Sequence, residues 1–95
     1  GNEDMLKAQR AWFDEKWQHF NERKLLYNDR ILKADKILLN NDDCIVIDYK
    51  TGAKDKSHVV QLQEYMNACR STLKQKIQGY LLYVKNMELI EINMT

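Results

Sequence analysis

The sequence predicts an α/β fold in which helices flank a mixed β-sheet. Three observations carry this. Apolar residues recur at helical spacing in two segments, 3–20 and 57–73. Short runs rich in branched and aromatic residues lie between and after them. The gaps between runs hold Asn, Asp or Gly, and there is no proline anywhere. The expected order is α-β-β-β-α-β-β, the economical arrangement for a sheet that must cover its faces.

The first helix is expected over residues 3–20. Leu6, Phe13, Trp17 and Phe20 fall on one face of a 3.6-residue period and read as a core stripe. Residues 22–27 form a short strand and Asn28-Asp29 a turn. Residues 30–39 lack helical spacing and read as a second strand. The polar run Asn40-Asn41-Asp42-Asp43 turns the chain into Cys44–Lys50, a central strand that ends at Thr51-Gly52. Ser57 is the expected N-cap of the second helix. Its buried stripe is Val59, Leu62, Met66, Cys69 and Leu73. Two further strands, 78–84 and 88–92, meet at a turn near Asn86.

Composition narrows the function classes. At 95 residues with 44% hydrophobic and 31% charged residues, the chain is one folding domain, not a disordered segment. A formal charge of +1 means that any nucleic-acid role rests on local clustering. No apolar run approaches the ~20 residues of a membrane span. The start, Gly1-Asn2-Glu3-Asp4, is unlike a signal peptide, and its leading Gly resembles a cleavage scar on a piece of a longer protein. Cys44 and Cys69 lack metal-ligand spacing and read as core thiols in a reducing cytoplasm.

The chemistry-bearing residues are Asp35, Asp48 and Lys50. Asp48 and Lys50 are two apart on a strand and leave the same face. A hairpin turning at 40–43 sets Asp35 opposite Asp48, with Cβ atoms about 5 Å apart. Two like charges so close call for a cation between them. Mg²⁺ is held by one or two carboxylates plus waters and phosphate oxygens. Such an ion, with Lys50 beside it, could hydrolyse a phosphodiester. A buried salt bridge between Lys50 and the aspartates explains the same residues without catalysis. On the second helix Gln61 and Tyr65, four apart, share a face beside the apolar stripe. Lys54, Lys56 and His58 form a basic cluster with Lys50 ahead of that helix, suited to a DNA backbone.

Several runs resemble one family. Asp48-Tyr49-Lys50-Thr51-Gly52 resembles the DxK-T-G motif of RecB-like nucleases in the PD-(D/E)XK superfamily. Gln61-Leu62-Gln63-Glu64-Tyr65 resembles their Q-apolar-x-x-Y motif, and Lys33–Ile37 their segment around a motif aspartate. Trp17–Glu22 and Gly79–Val84 resemble the W-x-x-F-N-E and G-Y-L-x-Y-V runs of AddA/UvrD-type helicase–nucleases. The resemblance covers residues 12–92.

It implies a restriction-endonuclease-like core and a DNA exo- or endonuclease dependent on Mg²⁺ or Mn²⁺, acting in DNA repair or recombination. A helicase domain, in the same or a partner chain, is the implied companion. Asp35 and Asp48 would be metal ligands, with the Tyr49 carbonyl a third. Lys50 would be catalytic, Gln61 and Tyr65 would support the site, and Glu22 on the first strand would have a supporting role. Two departures stand out. Ala34 and Lys36 occupy positions where the family more often has Pro or Gly and Arg. The upstream helical histidine that many members use has no counterpart, since His19 is misplaced relative to the motifs. The rival readings are a catalytically silent nuclease-like module that binds DNA or protein, and a small structural domain with an Asp35–Lys50 salt bridge.

Overall fold

The computed structural model describes residues 7, 10–14 and 16–94. Residues 10–12 are helical and a turn follows. Five strands form one sheet in the order β1-β2-β3-β4-β5. They are β1 (Gln18–Tyr27), β2 (Arg30–Leu39), β3 (Asp43–Lys50), β4 (Lys76–Tyr83) and β5 (Glu88–Ile92). One helix, α1 (Lys56–Thr72), connects β3 to β4. Neighbouring strands are antiparallel except β3 and β4, which are parallel. A parallel pair needs a crossover, and α1 supplies it. The chain is therefore a small α/β protein with a mixed sheet.

Two apolar layers hold the sheet. On one face α1 packs chiefly over β4 and buries Leu62, Tyr65, Met66, Ala68 and Cys69 against Cys44, Val46 and Leu81. Gly79 allows the close approach, because a Cβ there would stand 2.3 Å from the Met66 sulfur. Cys44 and Cys69 lie buried and free in this layer, and their mutual hydrogen bond, with burial, pushes the Cys69 thiol far up. On the other face Trp12 covers Leu38, Ile45 and Ile47, with Trp17, Tyr80 and Leu89 at the margin. The Trp12 and Tyr80 rings lie 5.4 Å apart.

The N-terminal segment departs from expectation. The helix does not run to residue 20: it ends after Trp12, and Gln18–Phe20 already belong to β1. Phe13, Trp17 and Phe20 do not share a helical face. Phe13 is exposed, Trp17 lies in the turn, and Phe20 packs on the α1 side. Leu6 lies outside the described residues. The reason is pairing: Gln18 to Asn21 each have a partner on β2, from Leu39 to Lys36. The Trp17 indole N–H donates to the Ala11 carbonyl at 2.9 Å, tying the strand entry to the end of the helix.

The helix start also differs by a residue or two. The N-cap is Asp55, not Ser57: the Asp55 carboxylate accepts the Ser57 N–H at 2.8 Å. An ionised acceptor at that place satisfies an orphan donor and suits the positive end of the helix dipole. No helix among the described residues is long and apolar enough to cross a membrane.

Candidate functional site

A fault in strand alternation builds the site. On β2, Leu32 and Ala34 face α1, and the next residue to do so is Ile37, three positions on instead of two. On β1 the same slip separates Phe20 from Leu25 and Tyr27. The slips coincide. Glu22 and Asp35 are the positions left out of an otherwise unbroken β1–β2 register. Glu22 has a left-handed backbone, φ 50°, which is uncommon for a side-chain-bearing residue. Beyond this point β2 stays with β1 but leaves β3, whose register with β2 covers only Lys36↔Ile47 to Leu39↔Cys44.

Two carboxylates occupy the fork. Asp48 Oδ1 accepts the Asp35 N–H at 3.0 Å, and Asp35 Oδ2 accepts the Tyr49 N–H at 2.9 Å. Each aspartate thus takes a donor of the opposite strand in place of a ladder bond. Each keeps one carboxylate oxygen outside these bonds. Asp48 is buried at 7% exposure and is the one buried charged residue among those described. Burial pushes its carboxyl above the usual range, the neighbouring Asp35 charge adds to this, and the hydrogen bond from the Asp35 N–H opposes it.

The fork opens into a cleft of about 280 Å³ between β2 and α1. Lys50 and Gln61 line it with the two aspartates. So do Arg30, Lys33 and Glu64, which the sequence reading did not single out. Glu64 lies within the Gln61–Tyr65 run, three residues after Gln61, which is a faint signal. Arg30 carries none, since its partner is 34 residues away. Arg30 Nη1 meets Glu64 Oε2 at 2.6 Å across the cleft mouth. Lys50 is not within ion-pair distance of Asp35 or Asp48. Among the described residues the ion pairs are Arg30–Glu64, Lys33–Glu22 and Lys54–Glu88.

Other expected site residues lie elsewhere. Tyr65 does not line the cleft. It is buried in the core, and its hydroxyl donates to the Arg23 carbonyl at 2.9 Å, beside the Glu22 kink. Burial pushes its phenol far up. Tyr65 therefore braces β1 from the core. Tyr65→Phe should lower stability by about 1 kcal/mol, the usual net value of one hydrogen bond. For a domain of this size that is roughly 4–8 °C in Tm, measurable by thermal melting.

Lys54 and Lys56 border a separate, mostly apolar hollow with Val59, Leu81 and Ile90, and Lys54 is paired with Glu88. His58 is half-buried, its Nδ1 2.9 Å from the Tyr83 hydroxyl. The expected basic cluster with Lys50 thus does not converge on the cleft. Glu22 is exposed, 3.7 Å from Lys33, and its part is in the backbone kink. Tyr49 reaches the site through its N–H, and its ring is partly exposed. His19 is exposed on β1.

The donor set fits a hard divalent cation of the Mg²⁺ class. Two convergent carboxylates, each with an oxygen to spare, match an ion that takes few protein ligands and keeps several waters. Among the described residues no group of three or more His, Cys, Asp or Glu side chains comes together for a metal. Among the described residues a further ligand could be a backbone carbonyl, with waters or a substrate oxygen completing the shell.

Comparison with protein-family models gives no match, and no curated protein matches the chain. Among solved structures, the crystal structure of SSO0001 is similar, with a TM-score of 0.53 and 21% identity. The match covers 99% of this chain and 50% of that one, so the chain spans half the length of its neighbour. At that identity the likeness shows the fold alone.

Proposed function

We propose that this chain is the core of a divalent-metal-dependent DNA nuclease with a restriction-endonuclease-like topology of the RecB type. The observation that carries the reading is the Asp35–Asp48 pair. Two acidic groups converge where a sheet forks, one of them is buried, and no basic side chain among the described residues lies within ion-pair distance of either. A structural salt bridge would place Lys50 against the carboxylates. The arrangement instead favours a pair waiting for a cation.

Asp35 and Asp48 would hold Mg²⁺ or Mn²⁺, with the Tyr49 carbonyl as a further donor. When bound, the ion supplies positive charge against the phosphate oxygens and acidifies a water. Lys50, on the Asp48 face of β3, orients the attacking water or meets charge developing on the phosphate. Gln61 offers an amide on the opposite wall. Arg30 can take a phosphate oxygen in exchange for Glu64, since a guanidinium suits both anions. The cleft sets two cations, Arg30 and Lys50, against three carboxylates, Asp35, Asp48 and Glu64, while the Lys33 side chain turns to the outer face. A bound divalent ion would tip that balance towards a polyanion. The setting proposed is repair or recombination, beside a helicase domain of the same or a partner chain.

The test is cleavage. End-labelled single-stranded and duplex DNA, incubated with protein and Mn²⁺ or Mg²⁺, should be shortened, and EDTA should stop it. The proposed helicase companion makes the bare chain a weak enzyme on this reading, so the assay is run also on the longer parent protein that the reading implies. Metal binding without cleavage by the parent would assign the chain to a silent DNA- or protein-binding module.

A further inference from the structure

The tip of the β1–β2 hairpin carries a patch that the fold does not use. The register sets Lys24 directly opposite Lys33, and Leu26 directly opposite Ile31. Leu25, Tyr27 and Leu32 point into the core, so alternation turns these four residues to the outer face. Leu26 and Ile31 are 76% and 72% exposed, the highest values among large hydrophobics of the described residues. Like charges directly opposite weaken a ladder, and an exposed aliphatic pair adds nothing to a core. Lys33 meets Glu22 at 3.7 Å, an exposed pair of little energy that a stronger anion can displace.

The tip is also tightly turned and well placed. Its turn residues, Asn28 and Asp29, both have left-handed backbones, φ 51° and 61°, as a tight two-residue hairpin turn requires. Arg30, Ile31 and Lys33 belong to this tip and also line the cleft of Asp35 and Asp48. The patch lies on the side of β2 away from α1, and it meets the cleft along the β2 edge that β3 leaves.

We infer that the outer face of this hairpin docks a nucleic-acid strand and leads it into the cleft, an inference that rests on the nuclease reading of that cleft. Lys24 and Lys33 hold consecutive phosphates, while Leu26 and Ile31 lie against base faces freed in a single strand or at an opened duplex end. Charge complementarity selects this occupant. An apolar partner surface has no use for two opposed lysines, whereas a polyanion relieves their repulsion. Apolar side chains placed against unstacked bases are a recurrent device in nucleic-acid binding.

The experiment is fluorescence anisotropy with the full chain in EDTA, where cleavage is off. Labelled single-stranded and duplex oligonucleotides are titrated across about 50–200 mM salt. Lys24→Gln/Lys33→Gln should weaken binding about tenfold or more at low salt. Its salt slope on a single strand should fall by about 1.4, from two lost contacts at ~0.7 each. Leu26→Thr/Ile31→Thr should weaken binding several-fold with the slope unchanged. All four positions are exposed and Thr is a good strand former, so melting temperatures should stay near wild type. Tighter binding of the single strand identifies that form as the ligand, and tighter binding of the duplex identifies a duplex end. If wild type binds and both double variants bind equally well, the hairpin inference falls while the nuclease reading stands. If the aliphatic variant instead loses self-association in sedimentation and keeps DNA affinity, the patch is a contact between copies and the inference is overturned. If wild type binds neither oligonucleotide and the parent cleaves nothing, the nuclease reading falls with it.

Discussion

Asp48→Asn should make the metal-free protein more stable while abolishing both its response to divalent cations and cleavage. The amide keeps the acceptor for the Asp35 N–H and puts a donor beside the Asp35 carboxylate, so a buried repulsion becomes a hydrogen bond. The pH sign follows from the raised carboxyl. A group whose folded pKa lies above its unfolded value favours the fold most at low pH. That contribution fades as pH rises from the ordinary aspartate range, ~3.9, through the folded value. In EDTA, wild type should therefore lose part of its stability across that window, and Asp48→Asn should not. At neutral pH the variant should melt several degrees higher, on the scale of roughly 4–8 °C per kcal/mol. Saturating Mn²⁺ reverses the order. Ligand at a hundredfold excess over Kd adds about 2.7 kcal/mol to wild type, and the variant lacks the second ligand to gain it. Melting curves in EDTA and in Mn²⁺ over that pH range check all of this. A variant less stable than wild type in EDTA at neutral pH would show that the ionised Asp48 is already compensated.

Lys50→Ala should give the opposite separation: metal binding retained, chemistry lost. Lys50 lines the cleft but lies beyond ion-pair distance of both aspartates, so it is not part of the cation's grip. Its charge matters when negative charge builds on the phosphate. Removing one preorganised stabiliser of that kind costs about 3 kcal/mol, or 10²–10³ in rate. The expected result is a loss of that size in cleavage by the parent protein, with Mn²⁺ affinity by calorimetry within about twofold of wild type. Removing a cation near two carboxylates could only strengthen metal binding. A large loss of affinity would therefore recast Lys50 as structural.

The middle of the chain was legible because its signals are local. The Asn28-Asp29 turn and the 30–39 strand stand where residue type and spacing put them, and of the expected helical stripe Leu62, Met66 and Cys69 are buried while Val59 and the C-cap Leu73 are partly so. The turn at 40–43 fixed the β2–β3 register, which in turn brings Asp35 and Asp48 together. The N-terminal segment was misread because Phe13, Trp17 and Phe20 have a spacing that fits a helical face as well as a turn leading into a strand. Only pairing with β2 decides between them, and pairing is not local. Tyr65 was misplaced for a related reason. Helical spacing groups it with Gln61 but equally with Leu62 and Cys69, three before and four after, and in the fold it joins that buried stripe, its hydroxyl bonded to the Arg23 carbonyl. The Arg30–Glu64 pair joins a turn to a helix across the cleft, a contact with no trace in either segment alone.

The most direct test of the central claim is an anomalous-scattering map from crystals soaked in Mn²⁺. A single peak should lie between the free oxygens of Asp35 and Asp48, within coordination distance of both. Absence of the peak at saturating Mn²⁺, with the Lys50 ammonium lying between the two carboxylates, would contradict the account and leave a salt bridge in its place.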